Sequence, residues 1–190
     1  MLLDDMIKTF EDLKKNVYII DRGDLKPLII RFKDEHFYHL AGLHKTNINM
    51  FFPKEIRSRA KQYKHMKNNI EKYNNIIINQ IKGKYLLELR INTFCYITEI
   101  LKDNSGATLY RFKDKVAGSR YDGDYGLFKL FEDIYCLLGL KENADDNICY
   151  PQSWMPSNRM HKLAMRPPKS YNKIIVIPTK IYDNSEIYAV

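Results

Sequence analysis

The sequence predicts an α+β protein, with most helices before residue 101 and most strands after it. Apolar residues recur at helical spacing in several segments of the first half. From residue 104 onward, short β-branched and aromatic runs alternate with turns rich in Gly, Asp and Asn. An apolar hairpin pattern also lies near the N-terminus. Strands joined by such turns pair mainly in the antiparallel sense.

Composition indicates one folded domain over residues 1–190, with a long helical segment at about 53–101. The chain is 45% hydrophobic and 28% charged, and no apolar run approaches the roughly 20 residues of a membrane span. The N-terminus lacks the basic and then apolar pattern of a secretory signal, so we expect a cytoplasmic protein without membrane contact. Cys95, Cys136 and Cys149 lack CxxC spacing and are predicted to be buried thiols.

The first elements are predicted to be a short helix and a hairpin. Residues 4–15 carry apolar side chains at helical spacing, with acidic residues early and lysines late. Residues 17–20 and 28–32 are apolar runs on either side of the turn sequence DRGD at 21–24. This pattern is typical of two antiparallel strands.

A helix predicted over residues 34–45 carries the most suggestive side chains. In a continuous helix His44 falls on the apolar face and points inward, while His39 lies on the flank and Lys45 in the last turn. Two histidines and a lysine at one helix end fit a proton-transfer site for a phosphate ester. The same spacing also fits a core helix with polar decoration.

Two long helices are predicted next, over residues 53–81 and 86–101, with Gly83 as the break between them. Apolar residues recur every seven positions in the first of them, which favours packing of one helix on the other. The excess of basic residues over 54–90 places its exposed face in reach of a nucleic-acid backbone. A solvated lysine-rich face has the same composition.

Strands are predicted over residues 108–112, 120–131, 133–140 and 173–182. Residues 149–156 hold the only Trp between two prolines and are not among the predicted strands. The net charge is +8. A second basic stretch, residues 159–180, holds six basic residues and no acidic one: Arg159, Lys162, Arg166, Lys169, Lys173 and Lys180. Uneven basicity with interleaved aromatic residues is typical of nucleic-acid binding.

Three segments occur in an order that resembles a known family. They are HLAGLHK at 39–45 after a strand, residues 119–128 with their Asp-Tyr pair, and YPQSW at 150–154 before a basic loop and a closing strand. Together they resemble the fourth phage-type class of the barnase, EndoU, colicin and RelE-like (BECR) nucleases, over residues 17–182. Gly123 and Gly126 depart from the apolar strand pattern of that family, and Trp154 with Met155 replaces a typical aromatic pair.

The resemblance implies N-terminal helices on a curved antiparallel sheet, and an endoribonuclease that needs neither metal nor cofactor. Such enzymes use the RNA 2′-hydroxyl as nucleophile and leave a 2′,3′-cyclic phosphate. The implied role is a phage or mobile-element toxin or effector that acts on RNA, with tRNA as one candidate. A neutralising antitoxin or immunity partner is consistent with that role.

This chemistry requires a base, an acid and donors for the phosphorane charge. We assign His39 and His44 to the two proton transfers, in an order left open, and Lys45 to the phosphate. The sheet is predicted to add Ser153, Tyr171 and Lys173. Nucleic-acid contacts are predicted at Arg120, Tyr125, Trp154, Arg159, Lys162, Arg166 and Lys169. The hydroxyl and aromatic groups also fit a turn bond or core packing.

Two other functions remain open from the sequence. One is a non-catalytic RNA- or DNA-binding module with structural histidines, and the other is a phage protein that inhibits a host factor by binding it. A metal site is not expected, because His39 and His44 would diverge by about 140° on a continuous helix. Motifs for nucleotide hydrolysis, dinucleotide binding and serine hydrolysis are absent from the sequence.

Overall fold

The computed structural model describes residues 3–22, 25–102, 105–112, 123–144, 148–158, 172–175 and 179–183. Helices within these residues are α1 (Leu3–Lys15), α2 (Asp34–Leu40), α3 (Arg59–Lys67), α4 (Ile70–Ile81), α5 (Tyr85–Asn92) and α6 (Tyr96–Ile100). Strands are β1 (Asn16–Arg22), β2 (Leu25–Arg31), β3 (Thr108–Arg111), β4 (Tyr125–Phe131), β5 (Ile134–Asn143), β6 (Ile148–Ser157), β7 (Asn172–Ile175) and β8 (Thr179–Asp183). No helix in these ranges has both the length and the apolar character needed to cross a membrane.

The strands form one mixed sheet in the order β7-β3-β4-β5-β6-β2-β1-β8. All neighbouring pairs are antiparallel except β2 and β6, which confirms the predicted α+β class. The two edge strands of the sheet are β7 and β8. β7 ends at Ile175, and β8 begins at Thr179. Four chain steps reach about 15 Å, whereas a flat sheet of this width separates its edges by about 33 Å. The sheet therefore curls strongly.

The predicted N-terminal helix and hairpin are confirmed as α1, β1 and β2, but the longer predicted helices are wrong in extent. Segment 53–81 is not one helix: α3 begins after Ser58, whose Oγ accepts the Lys61 amide, and it ends before Asn69. There the Asn69 side chain donates to the His65 carbonyl and competes with the helical hydrogen bond. At the break between α5 and α6, both the amide and the Oγ1 hydroxyl of Thr93 donate to the Leu89 carbonyl.

Two predictions for the second half are also wrong. The segment around Trp154, which is not among the predicted strands, forms β6, the central strand that joins the two halves of the sheet. Pro151 is tolerated because the register with β5 shifts between Gly139 and Leu140, opposite this proline. The single strand predicted over 173–182 is instead two strands, β7 and β8, at opposite edges.

An aromatic cluster holds the first helices together. The Phe10 ring of α1 lies 5.2 Å from that of Phe37 in α2 and 5.3 Å from that of Tyr63 in α3. Trp154 of β6 is fully buried, and its Nε1 donates to Thr93 Oγ1 at 3.1 Å. The helices therefore pack on β6, and this contact fixes α5 against the sheet.

Ionic contacts tie α1 to the start of α2. Lys14 Nζ lies 2.6 Å from Asp34 Oδ1 and 2.8 Å from Glu11 Oε1. Glu11 also accepts from the Tyr63 hydroxyl, and its Oε2 lies 3.1 Å from Lys67 Nζ. Burial alone would raise the pKa of Glu11, but the bonds from Lys14, Tyr63 and Lys67 outweigh it and hold this pKa at about 2.

Glu11→Gln should lower the free energy of unfolding by about 2 kcal/mol at pH 7, because charge-assisted hydrogen bonds are lost. The folded-state pKa lies below the ordinary value of about 4.3, so the carboxylate stabilises the fold fully above that value. Its contribution is lost as the pH falls toward 2. Urea denaturation at pH 7 and pH 3 measures both effects.

Glu71→Gln provides the matched control, since it removes an exposed carboxylate from α4. We expect the deficit of Glu11→Gln relative to the unmodified protein to shrink at pH 3. An equal loss of unfolding free energy at both pH values would show that the contacts of Glu11 with Lys14, Tyr63 and Lys67 do not depend on the ionised carboxylate.

Candidate active site

The chain reverses direction directly after α2. Gly42 adopts a left-handed conformation with φ of +74°, and a 3₁₀ turn, Leu43–Lys45, follows. The reversal places the His44 ring 5.0 Å from the His39 ring, between centroids, at an interplanar angle of 35°. The prediction of a continuous helix over 34–45 is therefore wrong, and so is the inward direction of His44, which is exposed. The two histidines do not diverge.

Gly42 is required at this turn for two reasons. Its positive φ is strained for a residue with a Cβ. A Cβ built there would also lie 2.7 Å from Arg90 Cδ and 2.8 Å from Leu87 Cδ1. Arg90 is buried, with 5% of its surface exposed, and its Nη1 donates to the His39 carbonyl at 3.3 Å. The turn therefore rests directly on an arginine side chain from α5.

A second arginine is held rigidly beside the histidines. The Arg59 guanidinium stacks on the Tyr38 ring, with Cζ 3.8 Å from the ring centroid. Its Nη1 donates to Asn49 Oδ1 at 2.9 Å and to Gln62 Oε1 at 2.7 Å. Tyr38 donates its hydroxyl to the same Asn49 oxygen at 2.7 Å. These acceptors are neutral, so they orient the guanidinium without neutralising its charge.

We call His39, His44, Lys45, Arg59 and Arg90 the cationic cluster. His39, His44 and Lys45 are exposed on one side, but the protein packed against their other side removes part of their hydration. This partial desolvation lowers the pKa of His44 to about 4, and the charges of His39, Arg90, Lys45 and Arg59 act in the same direction. Partial desolvation also lowers the pKa of His39, followed by both arginines, and that of Lys45, followed by Arg90. Burial also lowers the pKa of Arg90 to about 10.

The sign of these shifts identifies the kind of ligand that the cluster favours. Within the described part of the chain, none of the groups acting on the pKa values of His39, His44 and Lys45 is a carboxylate. A site that gathers cations without a neutralising anion attracts negative charge from outside. Guanidinium and ammonium groups suit phosphate oxygens, and a neutral imidazole can accept a proton.

The structure brings together three of the predicted catalytic residues, His39, His44 and Lys45. Ser153 of β6 pairs with Gly139 of β5, and strand alternation places Ser153 on the face opposite Trp154, away from the helices. Lys173 lies in the edge strand β7. The remaining predicted site residues lie outside the described ranges: Arg120, Arg159, Lys162, Arg166, Lys169 and Tyr171.

Trp154 and Tyr125 occupy the core and not a nucleic-acid-binding surface. Trp154 is fully buried, and Tyr125 has 2% of its surface exposed. The Tyr125 hydroxyl lies 3.3 Å from Glu142 Oε2. Because neither ring presents a face to solvent, neither can stack on a base in this structure, contrary to the expectation from the sequence.

Two arginines of the cluster, Arg59 and Arg90, have no role predicted from the sequence, although both lie in the basic stretch 54–90. Arg90 carried a usable signal: it interrupts an apolar stripe of α5 beside Leu87 and Ile91. A charged residue at a core position is rare unless it has a specific partner. Arg59 is marked by no such pattern. No group of three or more His, Cys, Asp or Glu among the described residues could hold a metal ion.

Gly42→Ala should lower the free energy of unfolding by about 2 kcal/mol or more, through backbone strain and contact with Arg90. Gly83→Ala is the matched control, because Gly83 has the same φ of +74° but nothing within 4 Å of its added Cβ. Only the backbone cost, about 1 kcal/mol, is expected there. Equal losses in urea denaturation would refute the close packing of Gly42 on Arg90.

The His44 imidazole should titrate near pH 4 in the free protein. His39→Ala should raise its pKa, because one neighbouring cation is removed, but burial should keep it below the ordinary 6.5. Arg57→Ala removes an exposed cation that does not act on His44 and serves as the control. NMR titration of the ring resonances measures these values, and a His44 pKa near 6.5 in the unmodified protein would contradict this electrostatic account.

Comparison with protein families gives a match over residues 2–186 to the family described as phage-Barnase-EndoU-ColicinE5/D-RelE like nuclease 4. No curated protein and no solved structure matches the chain. The matched range contains all the described helices and strands and the whole cationic cluster. The resemblance inferred from residues 39–45, 119–128 and 150–154 is confirmed, and the chain belongs to this fourth family of phage-type BECR nucleases.

Proposed function

We propose that this nuclease is a metal-independent endoribonuclease, in which the RNA 2′-hydroxyl attacks the adjacent phosphate and a 2′,3′-cyclic phosphate remains. The main support for the proposal is the position of His39 and His44, whose ring centroids lie 5.0 Å apart beside Lys45, Arg59 and Arg90. Intramolecular attack needs one base and one acid at the same phosphate. Two histidines can supply both groups.

The pKa shifts favour His44 as the base. Because its pKa is about 4, the ring is neutral at pH 7 and can take the proton of the 2′-hydroxyl. A bound phosphate adds negative charge beside both rings and raises their pKa values. His39 can then hold a proton and donate it to the leaving 5′-oxygen, with the pair titrating as one unit.

The remaining cations act on the phosphate in different ways. Lys45 is exposed, and we propose that it and Arg59 bind the phosphate oxygens and stabilise the phosphorane charge. Arg90 is buried, so it acts as a positioning residue through its bond to the His39 carbonyl and through its charge. Contributions from Ser153, Tyr171 and Lys173 stay predictions.

An endoribonuclease of this kind would harm the cell that makes it. We therefore propose a role as a toxin or effector of a phage or mobile element, acting on RNA in the cytoplasm and held in check by a neutralising protein. Support for this role comes from the phage-type family and from the unneutralised charge of the cationic cluster. A neutralising protein that covered this cluster with acidic groups would block phosphate binding.

His44→Ala and His39→Ala should each reduce RNA cleavage by about 10²- to 10⁴-fold, the usual contribution of one proton-transfer group. His65→Ala is the matched control, since His65 packs against the Phe52 and Tyr73 rings and is not part of the cluster. Cleavage of total RNA in EDTA, with mapping of the 3′ ends, measures rate and product together.

Cyclic-phosphate ends formed in EDTA are the expected result. Dependence on a divalent metal, or cleavage of DNA at the rate of RNA, would refute the proposed mechanism. Tight RNA binding without cleavage would identify a binding module, the alternative left open by the sequence. Unchanged cleavage by both histidine variants would remove His39 and His44 from the reaction.

A further inference from the structure

A cavity of about 320 Å³ lies beside the cationic cluster and shares one residue with it. Its lining residues are His36, His39, Lys141, Tyr150, Pro151 and Gln152. Ligand pockets in proteins span about 300–1,000 Å³, so this one lies at the small end and suits a single planar ring system. Because His39 belongs to both sites, a group bound in the cavity would adjoin a phosphate bound by the cluster.

Two aromatic rings form one wall of the cavity. The His36 and Tyr150 ring centroids lie 5.4 Å apart. Lys33 Nζ lies 4.3 Å from the centre of the Tyr150 ring and 3.1 Å from its hydroxyl oxygen. These contacts hold the tyrosine ring in place beside the cavity that it lines. Aromatic surfaces of this kind stack on nucleobases of any sequence.

The tautomer of His36 is set by the backbone. Its Nδ1 accepts the Lys33 amide at 2.9 Å, and burial lowers its pKa to about 4. At neutral pH the ring is therefore uncharged and carries its proton on Nε2. The wall is thus aromatic and neutral, with a hydrogen-bond donor, and these properties match a nucleobase better than a phosphate.

Gln152 adds a directional polar group. Its side chain lines the cavity and is partly buried. Side-chain amides recognise base edges through hydrogen bonds. Lys141 is exposed at the rim, 3.5 Å from Asp124 Oδ1. Charge is therefore kept at the edge of the cavity, and neutral groups line its interior.

We propose that the cavity binds one unpaired nucleobase, adjacent to the phosphate held by the cationic cluster, and that Gln152 determines which base is preferred. Only the position of the phosphate rests on the proposed function. A base inside a duplex is stacked and paired and cannot enter such a cavity, so the preferred substrate is single-stranded. Tyr150 and His36 supply stacking for any base, and the Gln152 amide discriminates among them.

Binding of 2′-O-methyl RNA hexamers of A, C, G or U tests the proposal, because the methyl group blocks the nucleophile and the ligand is not consumed. Fluorescence anisotropy gives the four Kd values for the unmodified protein and each variant. Tyr150→Ala should weaken all four by about 5- to 150-fold, the contribution of one base stack. Tyr150→Phe should retain most of the affinity, since it keeps the ring.

Gln152→Leu keeps the size of the side chain but removes its hydrogen bonds. Among the four hexamers, the largest Kd divided by the smallest should fall by about 5- to 150-fold, toward equal binding of all four bases. This ratio does not depend on the fraction of protein folded, so it stays informative if the tyrosine variant is unstable. Tyr85→Ala, an exposed aromatic outside the cavity, is the control and should change nothing.

The two proposals can fail separately. A base preference that is absent in the unmodified protein, or unchanged in Gln152→Leu, overturns the base site even if RNA is cleaved. Affinities unchanged in Tyr150→Ala overturn it as well. A preference lost in Gln152→Leu, without cleavage of unmodified RNA by the natural sequence, supports the base site and contradicts the proposed nuclease mechanism.

Discussion

The packing of Gly42 on the buried Arg90 side chain is the constraint on which the candidate site depends. Without a left-handed residue at this point, α2 would continue and carry His44 away from His39. With a side chain there, the turn could not rest on Arg90. Arg90 also donates a hydrogen bond to the His39 carbonyl. One arginine side chain therefore contacts both the end of α2 at His39 and the Gly42 turn that leads to His44. The turn therefore brings together the two histidines that we propose as the catalytic pair.

The same arginine makes the free site electrostatically unfavourable. Burial and mutual repulsion lower the pKa values of His39, His44 and Lys45, and no carboxylate is among the described groups that oppose them. The electrostatic free energy of such a site is unfavourable in the free protein, and binding of an anion relieves it. Stability is supplied elsewhere, by the aromatic cluster around Phe10 and by the ionic contacts of Lys14 with Asp34 at the start of α2.

Local signals predicted much of the fold, and long-range contacts decided what they missed. Periodicity identified α1, the hairpin and the start of α2, because both helices begin with acidic residues and the hairpin strands are adjacent in the sequence. It could not show that Gly42 packs against Arg90, since Arg90 comes from a distant helix. Two prolines concealed β6, in which Pro151 lies at a register shift that exists only in the pairing with β5. His39, His44 and Lys45 were found by residue type, while Arg59 required knowledge of Tyr38 and Asn49 in space.

The single parallel pair in the sheet explains why the cavity adjoins the histidines. β2 leads directly into α2, and β6 runs beside it in the same direction, with Ile30 opposite Cys149. Tyr150 therefore reaches the junction between β2 and α2, where Lys33 contacts its ring. Farther along β6, Trp154 anchors the strand to α5 through Thr93. A slip of one residue would turn these side chains to the other face of the sheet. The register that holds the helices on the sheet is thus the same register that places Tyr150 and Gln152 beside His39.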